Sequence, residues 1–147
     1  MEIVPLAECH LPKVQEIEAA SSGAPWSERA FRNELDNPHG VFLVAVDRGG
    51  EVCGYGGMWL IVDEAHITNL AVAPDQRRRG VAKRLMRSLL TIARERGMVC
   101  STLEVRTGNT AAIRLYEALG YAQVSVRKRY YPDNREDAAI MWLHSLD

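Results

Sequence analysis

One segment constrains this chain more than any other: the run Ile67-Thr68-Asn69-Leu70-Ala71-Val72-Ala73, the turn Pro74-Asp75, the basic stretch Arg77-Arg78-Arg79-Gly80, and an amphipathic stretch from Val81-Ala82 onward. The first run is apolar and β-branched and halts at a proline, which predicts a strand ending in a turn. Ala82, Leu85, Met86, Leu89, Leu90 and Ala93 recur at helical spacing with one buried face, and Gly97 is placed to cap the helix. The first turn of a helix has N–H groups without intrahelical partners and lies at the positive end of the dipole. A glycine-centred turn opening such a helix predicts a site for a diphosphate. On this segment alone, an ordinary strand-turn-helix with a solvated arginine run is the competing reading.

The chain of 147 residues fits one domain, 1–147, and is long enough to bury a core. Its net charge of -1 provides no global field for nucleic acid, so no direct nucleic-acid binding is expected. Eight of the 18 basic residues nevertheless fall between Arg77 and Arg96, around the expected phosphate site. Cys9, Cys53 and Cys100 are widely separated and lack the paired spacing of a zinc or redox site. They suit a reducing cytoplasm, and no metal is expected. The N-terminus lacks a basic region followed by an apolar run, and no stretch reaches bilayer length, so a cytoplasmic rather than a secreted or membrane protein is expected.

Along the chain, residues 2 to 6 start a strand, and Pro12 stands near the first turn of a helix carrying Val14, Ile17 and Glu18. A second helix follows Ser27. Val41 to Val46 and Val52 to Val62 read as strands joined through Gly49-Gly50. After the segment described above come a strand over Met98 to Val105, a helix over Asn109 to Leu119 closed by Gly120, and a strand pair over 121–131 and 138–146. The order β-α-α-β-β-β-α-β-α-β-β mixes hairpins with crossover units. It predicts an α/β (α+β mixed-sheet) fold with helices on both faces.

Four blocks resemble the GNAT family of N-acetyltransferases, and within it the RimI-type enzymes that acetylate the N-terminal alanine of a ribosomal protein. They are Pro25-Trp26-Ser27-Glu28, Asn69 to Val72 with Arg77 to Ala82, Leu103 to Arg106 running through Asn109 to Glu117, and Arg129 to Pro132 with Arg135 to Ala138. Ala82 stands where many members have a second glycine, and Asn134 where a glycine often precedes Arg135-Glu136-Asp137. The resemblance implies a splayed central sheet, acetyl-CoA as donor, and a pantetheine arm along the strand Leu70-Ala71-Val72. It places Arg77, Arg78, Arg79, Gly80, Val81, Ala82, Lys83 and Asn109 at the cofactor.

Acetyl transfer from a thioester to an amine requires a neutral amine, donors for the oxygen that gains charge, and a proton for the departing thiolate. The resemblance implies Glu104 as general base, directly or through a water, and Tyr116 as the acid that protonates sulfur and also lies at the cofactor. Read from the residues alone, Glu104 is equally a solvated carboxylate beside Arg106, and Tyr116 an aromatic packed beside Ala112, Leu115 and Leu119. The spacing of Asn109 and Tyr116 predicts a shared helix face. Main-chain N–H groups along Asn69 to Val72, freed by a splay or bulge, are the expected oxygen donors. His66 is an alternative base.

Trp26, Glu28, Tyr130, Tyr131 and Arg135 are candidates for gripping a peptide N-terminus, with a hinge or a dimer contact as the other reading. An α-amine, with a pKa of about 8 against about 10.4 for lysine, takes roughly 3 kcal/mol less to deprotonate. The expected partner is thus a protein N-terminus, of a ribosomal protein. A lysine or small-molecule amine as acceptor, and a non-catalytic acyl-CoA-binding module, are the alternatives.

Overall fold

The computed structural model describes residues 1–147. Its strands are β1 (Glu2–Pro5), β2 (Gly40–Val46), β3 (Val52–Ile61), β4 (Glu64–Val72), β5 (Cys100–Arg106), β6 (Ala122–Arg127) and β7 (Ala138–Leu143), and its helices α1 (Leu11–Ser21), α2 (Glu28–Leu35), α3 (Val81–Glu95) and α4 (Thr110–Ala118). They form one seven-stranded mixed sheet in the order β1-β2-β3-β4-β5-β7-β6. The predicted element order is the observed one. Several boundaries shift by one to four residues, and two of the shifts bear on the site. β4 begins at Glu64 because a tight turn at Val62, with a left-handed φ of 58°, returns the chain early. β6 stops at Arg127, where Arg129 adopts a φ of 52° and its N–H donates to Asp137 Oδ1 at 2.9 Å, lifting the chain off the ladder.

Two apolar cores lie on opposite faces. Val81, Leu85, Met86, Leu89 and Ala93 of α3 pack with Tyr116 of α4 against Leu103, Val105 and Met141. Leu11, Val14 and Ile17 of α1 and Phe31 of α2 pack against Phe42, Val44 and Tyr55. Phe31 meets Phe42 and Tyr55 edge-on, at centroid distances of 5.8 and 5.9 Å, a favoured aromatic geometry. Helices cover both faces only over the first half of the sheet. Beyond that half, the β6–β7 loop meets β5 at Arg106, while β6 is exposed along its whole length, and a groove lined by Glu104, Arg127, Ile140 and Trp142 lies open.

Every neighbouring strand pair is antiparallel except β4 and β5, which pair in parallel over only three positions, Glu64/Cys100, Ala65/Ser101 and His66/Thr102. Beyond His66 they part. The cause lies in β4, where Asn69 opposes Gly57 and Ile67 opposes Met58, so Thr68 is an extra residue without a partner. Such a bulge bends its strand and increases its twist, which carries the second half of β4 away from β5 and opens a wedge between them.

Candidate active site

The wedge exposes main chain. Ala73 N–H donates to Cys53 O at 2.8 Å, and antiparallel ladders alternate bonded with non-bonded pairs. In the register Ala71/Tyr55 and Asn69/Gly57, the bonds of Ala71 and Asn69 therefore run to β3. The N–H and C=O groups of Leu70 and Val72 point the other way, toward β5, which is no longer there. At the bulge, Thr68 Oγ1 and Asn69 Oδ1 are buried without a hydrogen-bond partner. Buried polar atoms are rarely left unpaired, and Thr68 Oγ1 lies against Gly57 of β3, 3.3 Å from where a Cβ there would stand.

At the end of β4 the chain makes a single 3-10 turn (Pro74–Gln76) and enters α3 through Gly80. Gly80 is the N-cap, in left-handed geometry at φ 76° and ψ 15°, with nothing within 4 Å of where a Cβ would stand. The first helical bond runs from Arg84 N–H to Gly80 O at 3.1 Å, so the N–H groups of Val81, Ala82 and Lys83 lack helical acceptors. Arg77, Arg78, Arg79 and Lys83 are exposed around this turn. Arg77 Nε reaches back to Val72 O at 3.4 Å. The residues predicted to receive a diphosphate, 77–83, thus stand together in one turn at the end of β4.

Across the wedge, Leu103 and Val105 point into the α3 core while Thr102, Glu104 and Arg106 face the other way, the predicted alternation. Glu104 is exposed in a groove of about 420 Å³ lined also by His66, Thr102, Arg127, Ile140 and Trp142. Its neighbours differ from the expected one: Arg127 Nη1 lies 4.0 Å from Glu104 Oε1 and its guanidinium 5.0 Å from the centre of the Tyr130 ring, nearby Glu104 raises the Tyr130 pKa, and Arg106 is turned toward Asp133. A hollow of about 460 Å³ between β1, β2 and α3 offers one charged group, Arg87, and no carboxylate or phenol, in contrast to the Glu104 groove.

Tyr116 is buried in the α3-side core, its ring edge-on to Tyr121 at 5.9 Å. Burial pushes its hydroxyl far above the ordinary tyrosine value, with smaller contributions from Tyr121 and Tyr131, so the phenol keeps its proton at any working pH. Its packing beside the α4 residues Ala112 and Leu115 also makes it a core residue. Asn109 is not on the helical face its spacing from Tyr116 suggested. It is the non-helical N-cap of α4, at φ -85° and ψ 73°, and its Oδ1 accepts from Ala112 N–H at 3.2 Å. The amide nitrogen remains available.

Among the acceptor candidates, Tyr131 is half-buried with its ring 4.0 Å from the Arg106 guanidinium, and burial first of all raises its pKa to about 12. Tyr130 stands edge-on to it at 5.1 Å, beside Glu104. Trp26 packs on Phe31 and Trp59, at 5.3 and 6.3 Å, with its main-chain N–H donating to Glu18 Oε2 at 2.9 Å. Glu28 is held elsewhere, pairing with Arg32 at 3.7 Å on the surface of α2, and Arg135 is exposed at a left-handed turn (φ 58°). His66 pairs with Glu64 at 3.0 Å.

The sequence names Asn69 only for its main chain and assigns Thr68 no role, because the position of a bulge is defined only relative to a partner strand. It also passed over Arg106 and Asp133, whose meeting depends on the β6–β7 loop. For Glu18 a signal was present: an acid among the apolar positions of α1. Its carboxylate is buried, accepting from Tyr55 and Trp26.

The acetyltransferase (GNAT) family model matches residues 11–121. The chain belongs to the GNAT family. The ribosomal protein bS18-alanine N-acetyltransferase of Escherichia coli (strain K12) is 37% identical over 135 residues, covering 90% of each chain. The crystal structure of the ribosomal-protein-S18-alanine N-acetyltransferase from Escherichia coli superposes with a TM-score of 0.87 at 35% identity, over 97% of this chain and 92% of that one. A chain of the NatC complex bound to Gag peptide and CoA gives a TM-score of 0.83 at 26% identity, over 98% and 99% of the two chains. The splayed β4–β5 pair, the bulge and the Gly80 turn are therefore features of a GNAT domain, and no helix in it is long and apolar enough to cross a membrane.

Proposed function

We propose that this GNAT domain moves an acetyl group from acetyl-CoA to the α-amine of a protein N-terminus, with the N-terminal alanine of a ribosomal protein as acceptor class. The observation that carries the reading is the wedge itself, with open main chain and the Gly80 turn on one side and the Glu104 groove on the other. Relatives whose names state ribosomal-protein alanine acetylation, aligned over most of both chains, support the acceptor.

Acetyl-CoA supplies the acetyl thioester. The free N–H groups of Val81, Ala82 and Lys83 hold the diphosphate, with Arg77, Arg78 and Arg79 adding positive charge at its edge. Only an unsubstituted residue 80 keeps that approach open. Leu70 and Val72 act through main chain: their wedge-facing N–H groups steady the pantetheine arm and donate to the oxygen that gains negative charge. The side chain of Ala71 packs instead toward the α1/α2 core. The Asn109 amide nitrogen is free to donate at the α4 end.

Glu104 takes the proton from the acceptor ammonium, directly or through one water, in a groove open enough for a chain end. Tyr116 returns a proton to the departing sulfur, and its raised pKa keeps that proton in place until it is needed. Trp26, Tyr130 and Tyr131 wall the acceptor. Arg127 and the Tyr130 hydroxyl, which face Glu104 here, occupy the space an incoming ammonium would claim.

The test is transfer from acetyl-CoA to two peptides, one beginning with a free alanine and the other blocked at its α-amine but carrying lysine. Acetylation of the first and not the second is expected. Transfer confined to the lysine peptide contradicts the reading.

A further inference from the structure

Two loops far apart in sequence meet at one carboxylate. The α1–α2 loop, residues 22–27, carries Trp26, and the β6–β7 loop, residues 128–137, carries Tyr130 and Tyr131. Asp133 packs so closely on Gly23 that a methyl group at Gly23 would overlap Asp133 Oδ2 and stand 3.0 Å from its Cγ. The other oxygen, Asp133 Oδ1, pairs with Arg106 Nη1 of β5 at 3.0 Å, in a contact where the side chains are only 26% and 23% exposed.

Arg106 is the hub on that side. Its Nη1 also donates to Asn134 Oδ1 at 3.1 Å, its guanidinium lies 4.0 Å from the centre of the Tyr131 ring, and Glu136 Oε1 lies 3.6 Å away. Glu136 Oε2 accepts from Gly108 N–H at 2.8 Å, joining the loop to the turn before α4. At the other end of the α1–α2 loop, Glu18 accepts from the Trp26 main-chain N–H and from the buried Tyr55 hydroxyl. Both loops are thus anchored to the sheet separately, and Asp133 joins them to each other.

We propose that Asp133 is a positioning residue for the acceptor: Arg106 fixes one carboxylate oxygen, Gly23 receives the other, and this clasp sets the distance between Trp26 on one wall and Tyr131 on the other. The inference rests on the acceptor reading above. It accounts for a glycine at position 23, since a Cβ there would overlap Oδ2 and force the carboxylate to turn from its present position beside Arg106. The Arg106 guanidinium holds the Asp133 carboxyl below the usual carboxylate range, so the clasp is charged throughout the neutral range.

Three variants of the full chain test it: Gly23→Ala, Asp133→Ala and the double substitution, each followed by peptide kinetics and by hydrogen exchange of residues 22–27 and 128–137. Each single substitution raises KM for the alanine peptide on the order of fivefold, the scale of a partly exposed charge pair. Turnover and CoA affinity stay within about twofold of the parent. The double variant is no worse than either single one, because with the carboxylate gone a methyl at 23 meets only the Cβ of residue 133, at 3.6 Å. Exchange of the 22–27 segment quickens in all three. Effects that multiply in the double variant, or exchange unchanged in both loops, overturn the clasp. Exchange needs no acceptor, so faster exchange in variants of a parent that fails to turn over the peptide counts against the acceptor reading alone.

Discussion

In the proposed mechanism Tyr116 serves the core and the site with different atoms: the ring fills space against Tyr121, and the hydroxyl would supply the proton. Tyr116→Phe separates them. It keeps the packing, so CoA affinity measured by calorimetry is unchanged, while single-turnover transfer falls by about 100-fold or more, the usual worth of a positioned acid. Transfer at the parent rate would remove the phenol from the mechanism. At Gly80 the conformational requirement and the approach of the donor fall on one residue, which is why a single glycine in a basic stretch was readable. Glu104 and Tyr116 could be weighed as catalytic only through the family resemblance, since alternation and helical spacing fit a surface acid and a core aromatic equally well. Thr68 was unreadable because its special status depends on the register of β3.

Among the elements, α3 was the most legible, since its apolar stripe, its glycine entry and Gly97 all agree. The α4 boundary was legible to one residue, yet that residue matters: Asn109 lies outside the helix and caps it. Asn109→Asp keeps a carbonyl-type oxygen for Ala112 N–H, so stability in a urea titration stays within about 0.5 kcal/mol of the parent, whereas Asn109→Ala loses about 1 kcal/mol. The two should also differ in cofactor binding: the aspartate removes the amide donor and places a negative charge near the phosphates, so CoA affinity falls more than in the alanine variant. Equal affinities in the two would confine Asn109 to capping. The splay of β4 from β5 was not readable from either strand, because both have ordinary strand sequences and the divergence comes from a mismatch with a third.

At the scale of the molecule, sheet and helices bury phenols on both faces. Burial is the leading cause that raises Tyr55 and Tyr116 far above the ordinary range and Tyr121 and Tyr131 to about 12. A folded pKa above the unfolded value of about 10 means that the folded state binds the extra proton, so this stabilisation is complete below pH ~10 and is lost as pH rises through the folded values. Ultraviolet titration should therefore show most phenolate appearing together with loss of near-ultraviolet circular dichroism. Four tyrosines ionising near their free value in an intact fold would contradict the packing. The central claim, that the wedge receives the donor through main chain, is tested most directly by amide exchange at single residues with and without acetyl-CoA. Leu70 and Val72 amides should exchange rapidly in the free protein and slow markedly with donor bound, while Asn69 and Ala71, already bonded to β3, change little. Leu70 and Val72 exchanging at the same rate in both states would contradict the account.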